Sequence, residues 1–236
     1  MDKNAEPQLC VLCCQRPATT KDHVPPRSLF TTPAESGLIA VPACRECNEG
    51  ASQDDEYFRN VVTLRDDIHE HPDAQNASAA FIRSLKRPQA EKLKRAVLQN
   101  IQQVNLKTLS GLYVGKRSVC NVELDRLEKV ASRIVRGLFF HEVTKPLPAE
   151  YSVFAWCEDG LTEQSDETKA EICRIAAIVK TSQETTIGNG VFAFWWKPTE
   201  VDNATAWVLQ FYKRLSFLCV TLPSNVTVRG PFAMTP

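Results

Sequence analysis

Two cysteine pairs, each with a two-residue gap, stand near the N-terminus and constrain the fold of this region more than any other feature. They are Cys10-Val-Leu-Cys13 and Cys44-Arg-Glu-Cys47. Two such pairs supply four thiolates from two tight turns, which is the ligand set of a tetrahedral structural zinc. We therefore expect Cys10, Cys13, Cys44 and Cys47 to bind one zinc ion that holds a small module together. Cys14 lies next to the first pair, but it lacks the usual spacing and is predicted to be a bystander.

The composition is that of a soluble globular chain. Of its 236 residues, 43% are apolar and 24% are charged. No apolar run reaches the roughly 18 residues of a membrane span, and the N-terminal residues do not resemble a secretory signal. Nine cysteines are an odd number, which favours a reduced cytoplasm over a disulfide framework. Four of them, which lie among apolar neighbours, are predicted to be buried, inert thiols: Cys120, Cys157, Cys173 and Cys219.

The pattern of apolar residues predicts an α+β fold with two parts, residues 1–70 and 71–236. The first part is the zinc-stapled module, in which 38–42 form a short strand and a helix begins between Asn48 and Asp54, with Ser52 as its cap. The second part is a helical segment followed by an antiparallel β-rich region. Helices are predicted at 77–85, 88–104 and 122–143, and strands at 151–157, 172–181, 190–196, 206–211 and 215–222. A helix at 166–172 is an alternative, and 106–119 is predicted to be loop or strand.

The charges are segregated along the chain although their formal sum is zero. Residues 83–117 contain nine Lys and Arg against Glu91 alone, whereas residues 150–171 contain seven acids against Lys169 alone. A field of this kind can steer a polyanion to one face of a protein. The alternative is that the basic segment is simply a solvated helix.

An Asp-His pair, Asp22-His23, lies between the two cysteine pairs, and Asn48 follows the last cysteine. A zinc ion with four thiolate ligands has no open position, so any chemistry must come from these three residues. Asp and Asn offer the oxygen ligands that Mg²⁺ prefers. His has an unperturbed pKa near ~6.5 and can accept a proton at neutral pH. Together they predict a base beside a divalent metal ion.

With these residues, the sequence resembles the HNH endonuclease superfamily. The matching motifs are Cys-Val-Leu-Cys at 10–13, Asp-His-Val-Pro-Pro-Arg-Ser at 22–28 and Cys-Arg-Glu-Cys-Asn at 44–48. The resemblance covers about residues 10–59, a quarter of the chain. It implies a ββα-metal finger, made of two strands and a helix, that carries the structural zinc.

The resemblance also implies a function and a role for each site residue. It implies hydrolysis of DNA phosphodiester bonds with His23 as the general base. Asp22 would bind a catalytic Mg²⁺ or Mn²⁺ ion, and Asn48 would complete that metal site. Arg27 and Arg45 are close enough in sequence to contact flanking phosphates. An enzyme of this type that cuts both strands needs two active sites, which favours a homodimer.

Two departures from the family pattern keep other readings open. Gly37 stands where many members carry Asn, and Ala51 stands where many carry a basic residue. Both favour a second reading, a zinc module that binds nucleic acid without efficient cleavage. A third reading is a protein-interaction domain in which zinc only staples the fold. The presence of Asp22, His23 and Asn48 together argues against both, because a purely structural zinc finger needs none of them.

Overall fold

A computed structural model describes residues 8–31, 37–229 and 233–235. The helices in this part of the chain are α1 (Arg45–Glu49), α2 (Ser52–Thr63), α3 (Pro72–Leu85), α4 (Glu91–Gln99), α5 (Leu124–Val143) and α6 (Asp166–Val179). The strands are β1 (Thr20–Val24), β2 (Ile39–Ala43), β3 (Ile101–Lys107), β4 (Tyr113–Cys120), β5 (Tyr151–Cys157), β6 (Thr185–Ile187), β7 (Phe192–Pro198), β8 (Thr205–Phe211), β9 (Leu215–Pro223), β10 (Thr227–Arg229) and β11 (Ala233–Thr235). None of the helices described is long and apolar enough to cross a membrane.

A five-stranded antiparallel sheet forms the largest element, in the order β5-β9-β8-β7-β6, and confirms the predicted α+β class. Its strands are apolar on both faces because helices cover both of them. On one face, Phe58 of α2 packs edge-on against Phe211, with ring centroids 4.9 Å apart, and against Phe217 at 5.9 Å. On the other face, α6 buries Ile172 and Val179 against the sheet. Strand residues that alternate between two covered faces read as continuous apolar runs.

The predicted strand at 172–181 is wrong, since most of this segment belongs to α6. Its apolar residues Ile172, Ile175, Ala176 and Val179 recur at helical spacing and pack against one face of the sheet. The Ser165 hydroxyl caps this helix by accepting a hydrogen bond from the Thr168 N–H. The β-branched composition favoured a strand, but the helical period and the cap determine the structure.

Two other helix predictions also need correction. The helix predicted at 88–104 ends at Gln99, because residues 101–107 pair with 113–120 as an antiparallel hairpin. In the zinc module, the helix predicted to begin between Asn48 and Asp54 is α2, which begins at Ser52 as expected. The short helix α1 precedes it and was not predicted, and its cap is the Cys44 thiol, which accepts from the Cys47 N–H. The Ser52 side chain does not cap α2.

The four cysteines predicted to be buried divide into two groups. Cys157 and Cys219 lie in the five-stranded sheet and are buried, and burial raises the pKa of the Cys157 thiol to about 12. Cys120 and Cys173 are exposed, so the prediction is wrong for them. Cys120 ends the exposed strand β4, and Cys173 lies on the side of α6 away from the sheet.

The N-terminal module packs against α5. Strands β1 and β2 pair antiparallel, with His23 opposite Ala40 and Asp22 opposite Val41. Helix α5 approaches β1 closely at Gly137, where an added Cβ would lie 2.5 Å from Val24 Cγ1. The residue at this point must therefore be glycine for the helix to reach the strand at this distance.

The chain divides into two compact units. Residues 1–77 and 124–236 form the main unit, which contains the cysteine pairs and the five-stranded sheet. Residues 78–123 form the inserted unit, which contains α4 and the β3–β4 hairpin. The β3–β4 hairpin alone is called the ribbon. The division into residues 1–70 and 71–236 stays a prediction.

Candidate functional site

The four predicted zinc ligands lie together. The Sγ atoms of Cys10, Cys13, Cys44 and Cys47 are all within 4.8 Å of one another. A tetrahedral zinc with Zn–S bonds of about 2.3 Å places its sulfur atoms about 3.8 Å apart, so the cluster is compatible with a structural zinc. The first pair lies in a tight turn closed by a hydrogen bond from Cys14 N–H to Cys10 O, and the second pair begins α1.

Three thiols of the cluster have shifted pKa values. Burial raises the pKa of Cys10, and it raises the pKa of Cys47 to about 12. Burial also opposes ionisation of Cys13, but hydrogen bonds from the Gln15 and Arg16 N–H groups outweigh it and lower the pKa to about 6. Without a metal, the cluster thus carries fewer than four thiolates at neutral pH, so zinc binding must release protons.

Arg16 is a cluster residue that the sequence analysis missed. Its Nε donates to Cys44 Sγ at 3.2 Å and its Nη2 donates to Cys47 Sγ at 3.6 Å. It also forms an ion pair with Glu46 at 3.5 Å. A guanidinium on two thiolates offsets part of the negative charge of a four-thiolate zinc site. The position of Arg16, three residues after Cys13, could have indicated that it contacts the cluster.

Cys14 is not part of the cluster, as predicted. Its thiol donates to Leu147 O at 3.2 Å, and burial raises its pKa. Cys14 has a positive φ of 55°. The hydrogen bond to Leu147 links the first cysteine pair to the segment that follows α5.

Asp22 and His23 lie side by side in β1 but in different surroundings. Asp22 is 5% exposed, and its Oδ1 accepts a hydrogen bond from the His23 N–H at 2.8 Å. The His23 side chain is half-buried, and within the described ranges no residue forms a hydrogen bond with its ring. One oxygen of the buried carboxylate is thus already engaged, whereas the His23 ring keeps its hydrogen-bonding positions open.

The Asp22 carboxylate is held by Arg133 of α5. Arg133 Nη1 lies 2.9 Å from Asp22 Oδ2, and Arg133 Nη2 binds Asp55 of α2. Burial raises the pKa of Asp22 and Asp55, and the shared guanidinium counteracts that rise in both. One cation thereby connects the Asp-His strand, α2 and α5. Sequence spacing does not reveal Arg133, because 111 residues separate it from Asp22.

Asn48 fastens α1 to β1. Its Nδ2 donates to the Lys21 carbonyl at 3.1 Å and to Thr20 Oγ1 at 3.2 Å. The residue that follows the last cysteine is therefore brought to the strand of Asp22 and His23, next to the peptide that precedes Asp22. Among the described residues, the Asn48 amide bonds to Thr20 and Lys21, and not to the Asp22 carboxylate or the His23 ring.

A divalent metal ion does not fit Asp22 and Asn48 in this arrangement. Asp22 Oδ2 is already paired with the Arg133 guanidinium, whose charge opposes a second cation, and Asn48 faces Lys21 O with its NH₂ group. Metal-binding geometry requires three or more Cys, His, Asp or Glu side chains close together. Among the described residues, the cysteine cluster is the one group that meets this condition. The Mg²⁺ or Mn²⁺ site at Asp22 and Asn48 stays a prediction.

The two arginines proposed to contact phosphates lie on the surface. Arg27 begins a short 3₁₀ turn, 27–29, and is exposed. Arg45 begins α1 and forms an exposed ion pair with Glu49 at 3.3 Å. An exposed pair of this kind contributes little to stability and leaves the arginine accessible. Their role in phosphate binding stays a prediction.

A cleft of about 380 Å³ lies between the zinc module and α5. Lys129, Arg133 and Arg136 of α5 line it together with Leu12 and Cys47. Lys129 is paired with Asp54 at 2.6 Å, whereas Arg136 donates to the Tyr151 carbonyl at 2.6 Å and has no carboxylate partner among the residues described. The cations recur every three or four residues along α5, and this basic stripe was a readable signal that the sequence analysis missed.

No family model matches this chain, and no curated protein or solved structure is significantly similar to it. The resemblance to the HNH superfamily thus depends on the motifs between residues 10 and 59 alone.

Proposed function

We propose that the protein is a zinc-stapled nuclease of the HNH type, which hydrolyses DNA phosphodiester bonds with His23 as the general base. The observation that carries this proposal is the pair of hydrogen bonds from Asn48 to β1. They join the helix of the second cysteine pair to the strand that bears Asp22 and His23. The β1, β2 and α1 elements also follow the strand-strand-helix order that the resemblance implies.

The proposed chemistry assigns one proton transfer to His23. Its imidazole accepts a proton from water while the water oxygen attacks phosphorus, and the bond from phosphorus to the 3′ oxygen breaks. The leaving oxygen takes a proton from solvent, which gives a 3′ hydroxyl and a 5′ phosphate. Asp22 holds the backbone at the base by accepting a hydrogen bond from the His23 backbone N–H at 2.8 Å. Binding of Mg²⁺ or Mn²⁺ at Asp22 would require Arg133 to release the carboxylate.

The test is a plasmid-nicking assay with Mg²⁺ or Mn²⁺, in which wild type, His23→Ala and His141→Ala are compared at equal zinc content. His141 is exposed on α5, with only a distant ion pair to Glu142, and serves as the matched control. We expect nicking by wild type and His141→Ala, and loss of roughly 10² or more in rate for His23→Ala. Loss of zinc in His23→Ala would contradict the assignment, because a general base is not a zinc ligand.

A second candidate function is DNA binding without cleavage. The Asp22–Arg133 ion pair at 2.9 Å favours it, because a carboxylate engaged in this way is not free for a catalytic ion. Under this alternative, a folded, zinc-loaded wild type would bind DNA in a salt-dependent manner and leave the plasmid intact.

A further inference from the structure

The inserted unit is strongly basic. Residues 78–123 contain nine Lys and Arg against Glu91 and Glu123, a net charge of +7, so the rest of a neutral chain carries −7. All nine basic side chains are exposed. They are Arg83, Lys86, Arg87, Lys92, Lys94, Arg95, Lys107, Lys116 and Arg117. A concentration of exposed positive charge on one compact unit is complementary to a polyanion.

The ribbon is exposed on both faces. Its strands pair from Ile101 opposite Cys120 to Lys107 opposite Tyr113. Every residue of the two strands except Val104 and Gly115 is exposed. An isolated two-stranded hairpin is marginally stable in water, so a surface this open is best explained by a ligand that covers it.

The middle of one face of the ribbon carries hydrogen-bonding and cationic side chains. The register places Gln103 opposite Ser118 and Asn105 opposite Lys116, with Lys107 next on the same face. Gln103 Nε2 and Ser118 Oγ are 2.6 Å apart. Lysines bind phosphates, and Gln, Asn and Ser read base edges, so this face combines the two contacts that duplex recognition needs.

The tip of the ribbon presents a fully exposed leucine on an ordered turn. Thr108 Oγ1 accepts a hydrogen bond from the Leu112 N–H at 3.0 Å and lies 2.8 Å from Ser110 Oγ. This turn holds Leu109 completely exposed. Apolar side chains on such projections insert between base steps in many DNA-bending proteins.

We infer that the ribbon is a duplex-DNA-binding element, whose Lys107 and Lys116 contact phosphates and whose Leu109 acts as an apolar wedge. The choice of DNA rests on the proposed function. A two-stranded ribbon fits a groove of B-form DNA, whereas the deep, narrow major groove of duplex RNA excludes it. The polar face also argues against insertion into a lipid surface, where Gln103, Asn105 and Ser118 would lose their hydrogen bonds to water.

The test measures anisotropy of a fluorescent 25-base-pair DNA duplex with the full-length, zinc-loaded His23→Ala protein over a range of salt concentrations. In this background, Lys107→Gln/Lys116→Gln is compared with Lys145→Gln/Lys213→Gln, two exposed lysines of the main unit. We expect the ribbon variant to bind about 10- to 100-fold more weakly at low salt, with a salt slope reduced by about 2. The control should bind like its parent.

A third variant, Leu109→Ser, tests the wedge. We expect it to weaken binding at an unchanged salt slope, because it removes no charge. Equal binding by parent and lysine variant would overturn the inference, as would equal affinity for duplex RNA. Binding to vesicles with anionic lipid, lost in the same variants while DNA is not bound, would overturn it in favour of a membrane surface.

Failure of this inference and failure of the proposed function give different results. DNA binding that depends on the ribbon lysines, without nicking by wild type, would support the ribbon inference and overturn the nuclease proposal. Nicking by wild type, with DNA affinity unchanged in Lys107→Gln/Lys116→Gln, would support the nuclease and overturn the ribbon.

Discussion

The phenylalanines between α2 and the sheet in the main unit are buried, whereas the ribbon of the inserted unit exposes most of its aromatic and aliphatic residues. Phe58 is fully buried between α2 and the sheet, but Tyr113 is 55% exposed and Leu109 is completely exposed. The main unit is also net negative and the inserted unit net positive. The difference indicates that stability resides in the main unit and that the ribbon is shaped for contact with a ligand.

The largest expected effect comes from loss of the zinc site, which lies in the main unit. Cys44→Ser removes one of four zinc ligands and should abolish zinc binding, since structural zinc contributes about 10–16 kcal/mol of folding free energy in finger peptides. The N-terminal module should then lose protection of the β1 amides in hydrogen exchange. Zinc content by atomic absorption provides the second readout.

Cys14→Ser is the matched control for that change. Cys14 is a neighbour of the cluster but not a member, so the variant should keep one zinc per chain. Zinc retained at full occupancy by Cys44→Ser would contradict the four-cysteine site.

The next effect contrasts core and ribbon directly. Phe58→Ala should lower the free energy of unfolding by about 3–5 kcal/mol, because it leaves a cavity against Phe211 and Phe217. Leu109→Ala should change it by less than about 0.5 kcal/mol, because the side chain is exposed. Urea denaturation measures both. A similar loss of unfolding free energy in both variants would contradict the contrast between the core and the ribbon.

A third prediction concerns the ion pair that connects the Asp-His strand to the core. Arg133→Met leaves Asp22 and Asp55 without their shared cation and should destabilise the protein by about 3 kcal/mol at neutral pH. Without the cation, burial raises the pKa of both carboxyls further. The folded state therefore binds protons more readily than the unfolded state. The loss should therefore shrink as pH falls through the raised pKa values.

Arg126→Met is the control for this prediction. Its partner Asp54 keeps Lys129 at 2.6 Å, so the variant should lose less stability and show a weaker pH dependence. Thermal unfolding between about pH 4 and 8 measures both variants. An Arg133→Met protein that becomes less stable, relative to wild type, as pH falls would contradict the account.

The smallest effect is a gain in stability. Burial raises the pKa of Glu128, whose Oε1 accepts from the Cys157 N–H at 3.3 Å. Glu128→Gln keeps an acceptor and removes the charge, so Tm should rise by about 1–3 °C near pH 8. The gain should vanish as pH falls below the raised pKa, where the carboxyl is neutral. The exposed Glu163→Gln should leave Tm unchanged at both pH values.

The sequence predicted those features that depend on short spacing. The four zinc ligands follow from two Cys-x-x-Cys turns, and the strands at 151–157, 206–211 and 215–222 follow from compact β-branched and aromatic runs. The helix predicted at 122–143 is confirmed as α5, since its apolar stripe persists over five turns. In these cases the local pattern and the tertiary environment agree.

The failures arose where contacts between distant residues decide the structure. The C-terminal part of α6 was read as a strand because half of the residues from Ile172 to Thr181 are β-branched, and its role in covering the sheet was not visible. Residues 101–104, the first part of β3, were read as the end of a helix because the partner of this strand lies in β4. The pairing of Asp22 with Arg133 joins residues more than a hundred positions apart, and single-sequence spacing carries no information about it.

The most direct test of the central claim is chemical rescue of the general base. Zinc-loaded His23→Ala is incubated with plasmid and increasing imidazole, and the nicking rate is compared with that of wild type. If the His23 ring is the proton acceptor, imidazole should restore nicking in the variant in proportion to its neutral form and leave the wild-type rate unchanged. Equal nicking rates for wild type and His23→Ala in the absence of imidazole, at equal zinc content, would contradict the account.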